Sequence, residues 1–182
     1  MASVQLSDVS FGYGERALFS KLTLELAEGK VTSIIGPNGC GKSSLLKLAS
    51  GICKPWKGSI SVMERDVSVL SSKERAHLLS LLTQEHVAPP MSVRRLVACG
   101  RYPHHGILAT MDAADYEAVE RALEACRLAD LAERPVAELS GGQRQRAFIA
   151  MVLAQDTPVV LFDEPTSFLD VSACYEVMEL MR

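Results

Sequence analysis

The sequence predicts an α/β fold interrupted by a helical insertion, and three observations carry that expectation. Two short runs dense in β-branched residues, Val31-Thr32-Ser33-Ile34-Ile35 and Pro158-Val159-Val160-Leu161-Phe162, end at Gly36 and Asp163, as strands buried on both faces of a parallel sheet do. Between them apolar residues recur near helical spacing. The resulting order of strand, glycine-rich loop, helix, inserted helices, strand and acidic pair is that of alternating β and α units joined by right-handed crossovers.

Taken along the chain, Leu22, Leu24 and Leu26 alternate as in a half-buried strand, and Ile60-Ser61-Val62 is a shorter one. Leu45, Leu46, Leu48 and Ala49 have the pattern of a helix following the glycine-rich loop. Leu78-Leu79-Ser80-Leu81-Leu82 suits a strand or a helix, which periodicity alone does not separate. Pro89-Pro90 forces an extended entry into a short helix from Met91-Ser92 to Gly100. Tyr116, Val119, Leu123 and Cys126, with Leu128 and Leu131 beyond, mark a helical segment whose first turn is biased by Asp112 and Asp115. Ser140 is placed to cap a helix running to Ala154, with Phe148 and Val152 on its apolar side. A final helix, residues 171–182, carries Val171, Cys174, Met178 and Met181 on one stripe.

Composition narrows the function. A chain of 182 residues with 48% hydrophobic content is one domain's worth and has the apolar residues for a sizeable core. Nineteen basic against 22 acidic residues leave a net charge of −3, so no general field gathers nucleic acid or acidic lipid. The five cysteines (Cys40, Cys53, Cys99, Cys126, Cys174) are scattered and never spaced as CxxC, which suits a reducing compartment. The first residues lack the basic and apolar regions of a signal peptide, and the longest apolar run, 147–154, is far short of the ~18 residues that span a bilayer. Any membrane role is therefore expected to pass through a partner.

Gly36-Pro37-Asn38-Gly39-Cys40-Gly41-Lys42-Ser43 satisfies the phosphate-loop pattern GxxxxGK[ST] in the context it needs, after a predicted strand and before a helix. Its glycines let successive N–H groups curl round a phosphate, Lys42 reaches the terminal phosphates, and Ser43 can ligate Mg²⁺; Ser44 completes the expected nucleotide-binding set. Asp163 and Glu164, at the end of the second apolar strand, suit a Mg²⁺-holding carboxylate and a group that orients or activates an attacking water. Cys40 sits in the phosphate loop as a small filler or as a reactive thiol.

Leu139-Ser140-Gly141-Gly142-Gln143 is a second glycine-rich turn at a helix start, and its match to the signature motif of ATP-binding-cassette (ABC) ATPases arises by chance at on the order of 10⁻⁶ per position. The chain resembles that family over essentially its whole length. The resemblance implies a P-loop NTPase (RecA-like) core with an inserted α-helical subdomain, the core at residues 1–85 and 157–182 and the signature subdomain at 86–156. It also implies Mg-ATP as substrate and an ATP-dependent head-to-tail homodimer. In that dimer Ser140, Gly141, Gly142 and Gln143 of one chain close on the γ-phosphate held by the other.

By the same resemblance Tyr13 is the aromatic that stacks on adenine, Gln84 is the Q-loop glutamine near Mg²⁺ or the attacking water, and Ser167-Phe168-Leu169-Asp170 is the D-loop. Gly100-Arg101-Tyr102-Pro103-His104 is similar to a segment of importer ATPases for iron-siderophores, haem and cobalamin; His104-His105 also reads as a solvated pair or a casual metal site. The expected protein energises such an importer from the cytoplasmic face of the membrane, docked on a permease and served indirectly by a substrate-binding protein. Two alternatives are an ATP-binding module without efficient turnover and a soluble, non-transport ABC ATPase.

The family's switch histidine follows one further strand beyond the catalytic glutamate, whereas His77, His86, His104 and His105 all precede Glu164. The resemblance therefore implies a C-terminally truncated cassette whose hydrolysis suffers and whose last helix exposes its apolar stripe.

Overall fold

The computed structural model describes residues 2–84, 87–105, 110–166, 169 and 171–180, which fall into two compact units, 1–79 and 80–182. In the first, β1 (Ala2–Tyr13) and β2 (Arg16–Ala27) form a long hairpin, α1 (Lys42–Ala49) follows the phosphate loop, and β3 (Lys57–Val62), β4 (Arg65–Asp66) and α2 (Ser72–Leu78) complete the unit. The sheet is antiparallel in order β2-β1-β3-β4.

The Leu22, Leu24 and Leu26 alternation pairs opposite Val9, Leu6 and Val4, each half-buried between exposed neighbours, as the period of two demands. Val4, Leu6, Val9, Ile60, Val62, Leu45 and Leu48 form the buried interior of this unit. At the far end of β1, the Phe11 and Trp56 rings pack with centroids 6.4 Å apart, and Trp56 also lies against Gly12.

One expectation fails here. Residues 31–35 form no strand: Val31 and Ile35 are 68% and 93% exposed, and among the described residues nothing pairs with them. β-branched residues favour an extended backbone, but a strand exists only where a neighbour supplies ladder hydrogen bonds.

The ambiguous leucine run straddles the boundary between the units and divides into a helix end and a strand. Leu78 ends α2 under the capping box of Ser71 and Glu74, and β5 (Leu79–Leu82) starts beside it. β5 neighbours β6 (Val159–Phe162), the strand expected before the acidic pair. The helices between them are α3 (Val93–Ala98), capped by Ser92, α4 (Tyr102–His105), α5 (Ala113–Ala125) and α6 (Gly141–Ala154); α7 (Val171–Leu180) follows β6.

Val93, Val97, Val119, Leu123, Cys126, Leu128 and Ile149 are almost wholly buried in the core of this unit. Burial pushes the Cys126 thiol up to about 12, so it packs as an inert apolar group. Tyr116, expected on the apolar face of α5, is exposed: the buried stripe runs through Asp115, Ala118, Val119, Ala122 and Leu123, and Tyr116 lies one residue, about 100°, round the helix from Asp115. Among the described side chains of α7 the buried one is Val177, while of the predicted stripe Cys174 is half-buried and Val171 and Met178 lie exposed; Met181 and Arg182 lie outside the described residues.

Candidate functional site

Two separate constructions carry the chemistry-bearing residues. In the first unit the phosphate loop is set by backbone conformation. Gly39 and Gly41 have φ of +77° and +105°, in the left-handed region that favours glycine. A Cβ on Gly41 would lie 2.6 Å from the Phe19 ring and 2.9 Å from Leu18, so this residue locks the helix start against the β1–β2 hairpin. Gly41 is the N-cap of α1 and brings no side-chain cap, and no acidic residue occupies the first turn, an arrangement that favours an anion at the helix N-terminus.

Lys42 Nζ donates to the carbonyls of Gly36 and Pro37, at 3.1 and 3.2 Å, so the cation is folded back over its own loop. Pro37, Asn38 and Cys40 are exposed along the loop; Ser43 is half-buried and Ser44 buried. The Cys40 thiol sits over Gly36, whose Cβ position would be 2.7 Å from the sulfur. Tyr13, at the end of β1, is 57% exposed; its ring meets Phe11 edge-on at 5.2 Å, and its hydroxyl hydrogen-bonds Ser44 Oγ at 3.1 Å. An aromatic held by its edge and its hydroxyl keeps surface for stacking.

In the second unit the β5–β6 pair positions the carboxylates. The Asp163 N–H donates to Leu82 O at 2.9 Å, continuing the pairing one residue past β6, and Asp163 is buried. Glu164 turns away with φ of +49°, a sparsely populated conformation for a residue with a Cβ and one that concentrates at functional sites. Its Oε2 accepts a hydrogen bond from Gln84 Nε2 at 3.0 Å, so two residues eighty positions apart share one end of the strand pair. The signature turn is capped by its own side chains: Ser140 Oγ accepts from the Gln143 N–H at 3.3 Å, and Gln143 Oε1 accepts from the Ser140 N–H at 3.1 Å. Gly141, with open space around its Cβ position, and Gly142 follow in the first turn of α6. Ser167, Phe168 and Asp170 of the D-loop, and Glu85 and His86 beside Gln84, lie outside the described residues.

The segment after α3 carries a constellation whose partners the sequence did not reveal. Arg101 donates through Nε to Asp115 Oδ1 at 2.8 Å and through Nη1 to Ala154 O at 2.9 Å. His105 Nε2 meets Asp115 Oδ2 at 2.5 Å, and His104 Nε2 meets Gln155 O at 2.8 Å. Burial pushes Asp115 up, but the Arg101 guanidinium, the Asp112 N–H and His105 outweigh it and hold the carboxyl well below its usual range. These residues pin the start of α5 and the end of α6. The Asp112-x-x-Asp115 spacing, a capping box in which both carboxylates accept backbone N–H bonds, was the signal available for part of it. His105, Asp112 and Asp115 bring possible ligand atoms within 4.8 Å of one another, yet both Asp115 oxygens are already engaged by protein donors.

The ABC transporter family matches residues 19–167. The ferric enterobactin transport ATP-binding protein FepC of Escherichia coli is 42% identical over the whole chain, which covers 67% of FepC. The iron(3+)-hydroxamate import ATP-binding protein FhuC of Bacillus subtilis is 39% identical, again over the whole chain and 68% of FhuC. The chain thus spans about two thirds of the length of the curated relatives it matches. Among solved structures, cbiO1 of Clostridium perfringens superposes with a TM-score of 0.86 at 26% identity, over 99% of this chain and 72% of that one. A dimeric ATP-binding cassette in a post-hydrolysis state with ADP and Pi superposes with a TM-score of 0.81 at 26% identity, over 98% of this chain and 81% of the other.

Proposed function

The chain belongs to the ABC transporter family, and from that premise we propose that it is the ATP-binding and ATP-hydrolysing subunit that energises an importer of iron-siderophore, haem or cobalamin complexes. The names of FepC and FhuC favour an iron-siderophore among these. The observation that carries the reading is the phosphate loop, with its left-handed glycines, side-chain-uncapped helix start and Lys42 folded over Gly36 and Pro37.

In this reading Tyr13 stacks on the base, residues 36–44 cradle the phosphates, and Lys42 turns outward to their terminal charge. Ser43, Gln84 and Asp163 are hard oxygen donors whose chemistry suits Mg²⁺, which when bound neutralises phosphate charge. Glu164 accepts the proton of the attacking water or holds that water in line, and the Gln84 bond keeps its carboxylate oriented until then. Catalysis is mostly positioning and charge neutralisation.

The proposed assembly is a head-to-tail homodimer in which Ser140, Gly141, Gly142 and Gln143 of each chain complete the partner's nucleotide site. It docks peripherally, at the cytoplasmic face, on a permease fed by a substrate-binding protein. No helix among the described residues is long and apolar enough to cross a membrane. In the same proposal residues 1–85 and 157–182 are the nucleotide-binding core and 86–156 the signature subdomain.

Lys42→Ala tests the reading. Mg-ATP binding by calorimetry is expected to vanish while circular dichroism is retained; unchanged affinity overturns the phosphate-loop assignment.

A further inference from the structure

We propose that Gly100, Arg101 and His104 are positioning residues for the signature turn: they grip the last turn of α6 and so fix where Ser140, at the other end of that helix, stands when it meets the partner chain's nucleotide. The role rests on the reading above in which Ser140, Gly141, Gly142 and Gln143 complete the partner's site.

The proposed nucleotide site uses none of the Gly100-Arg101-Tyr102-Pro103-His104 segment, yet this segment holds α6. The capping box of Ser140 and Gln143 is internal to the helix, so it shapes the turn without setting its place. Its place is set from the C-terminal end. A Cβ on Gly100 would lie 2.1 Å from Met151 O, so the two backbones meet with no room for a side chain. Arg101 Nη1 donates to Ala154 O, and His104 Nε2, facing a carbonyl, donates to Gln155 O. Ala154 and Gln155 close the helix, where carbonyls lack partners within it and the dipole favours a guanidinium.

Residues 151, 154 and 155 are three and four positions apart and share one face of α6. Contact with all three fixes the rotation of the helix about its axis as well as its height along it. The gripping residues lie on one rod, because the backbone stays helical and right-handed from α3 through Cys99–Arg101 into α4. Arg101 is braced in turn by Asp115 at the start of α5. A helix of 14 residues is a lever about 21 Å long. A slip at its held end is delivered to Ser140, and a misplacement of about 1 Å in a group that meets a reacting phosphate costs on the order of a hundred-fold in rate.

The experiment uses the full chain and reads Mg-ATP affinity by calorimetry, ATP-driven association by sedimentation, and phosphate release at saturating ATP. His104→Phe keeps a ring and removes the N–H, His104→Gln keeps an N–H donor at similar reach, and Gly100→Ala pushes α6 away at Met151. His104→Phe and Gly100→Ala are expected to retain Mg-ATP affinity and circular dichroism, and to lower association and release about ten- to a hundred-fold. His104→Gln is expected to stay near the parent chain in every readout, a rescue that loss of bulk packing alone does not give. Parental association and release in His104→Phe overturn the proposal, as does a loss of Mg-ATP affinity that matches the loss of release, or a His104→Gln chain as impaired as His104→Phe. Should Gly100→Ala or His104→Phe fail to fold, the other decides alone. An unaltered chain that binds Mg-ATP and stays monomeric removes the proposed head-to-tail contact itself, and the positioning role with it.

Discussion

The two glycine-rich turns of this chain look alike on paper and are held by opposite means. The helix after the phosphate loop begins at Gly41 by backbone conformation, with no side-chain cap from that residue. The signature helix begins at Ser140 with a full capping box, and its far end is tied by Arg101 to Ala154 O and by His104 to Gln155 O. A turn shaped by glycines brings no side-chain cap of its own; a turn capped by serine and glutamine has two N–H donors engaged by its own side chains. The Ser140 hydroxyl accepts from the Gln143 N–H and keeps its own O–H to donate, so the box does not have to open for Ser140 to meet a phosphate on the partner chain.

The largest test of this contrast strikes the ties of the signature helix. Asp115→Asn leaves Arg101 buried without its counter-charge, for which a loss of about 3–5 kcal/mol in urea melts at neutral pH is expected. The Asp115 carboxyl is held below its ordinary value, so the folded chain keeps it ionised where the unfolded chain binds a proton. Its contribution is therefore whole above about pH 5 and is lost as pH falls through the folded value. The gap between the parent chain and Asp115→Asn should narrow between neutral pH and about pH 3. A gap independent of pH removes this account of the ties.

Next in size is the pair of glycine substitutions. Gly41→Ala forces a Cβ into Phe19 and Leu18 at a left-handed φ, and a loss of about 2–4 kcal/mol with collapse of ATP binding is expected. Gly141→Ala meets open space and should shift stability by no more than about 0.5 kcal/mol, while slowing ATP hydrolysis if the signature turn closes on nucleotide. Equal destabilisation by the two changes would erase the contrast. Between the two glycine changes falls Ser140→Ala, for which the loss of a cap predicts about 1 kcal/mol in the same melts. A change near zero would show that the capping box contributes nothing to holding the turn.

What was legible in the sequence was what neighbours in the chain determine. The Ser140 cap, the Ser92-led helix and the apolar strand before Asp163 all follow from residues within a few positions of one another. The failures are matters of distant pairing or of phase. Residues 31–35 have strand composition without a ladder partner among the described residues, and Tyr116 has helical spacing on the wrong side of α5. In the candidate site, the glycines and Lys42 declare themselves by motif. The Gln84–Glu164 bond, the Tyr13–Ser44 bond and the Arg101–Asp115 pair each join residues that no local rule brings together.

The packing of Trp56 against Phe11 and Gly12 makes the chain its own optical instrument. It is the sole tryptophan, half-exposed, in the unit that holds the phosphate loop, and its ring neighbour Phe11 is also the ring neighbour of Tyr13. Indole emission therefore reports on that unit alone, whereas far-ultraviolet dichroism is weighted towards the helices of the other. Superimposable unfolding curves from the two signals would mean that the chain melts as one cooperative body, and separated curves that each unit melts by itself. The same emission needs no label to follow events at the Tyr13 end of the hairpin in real time.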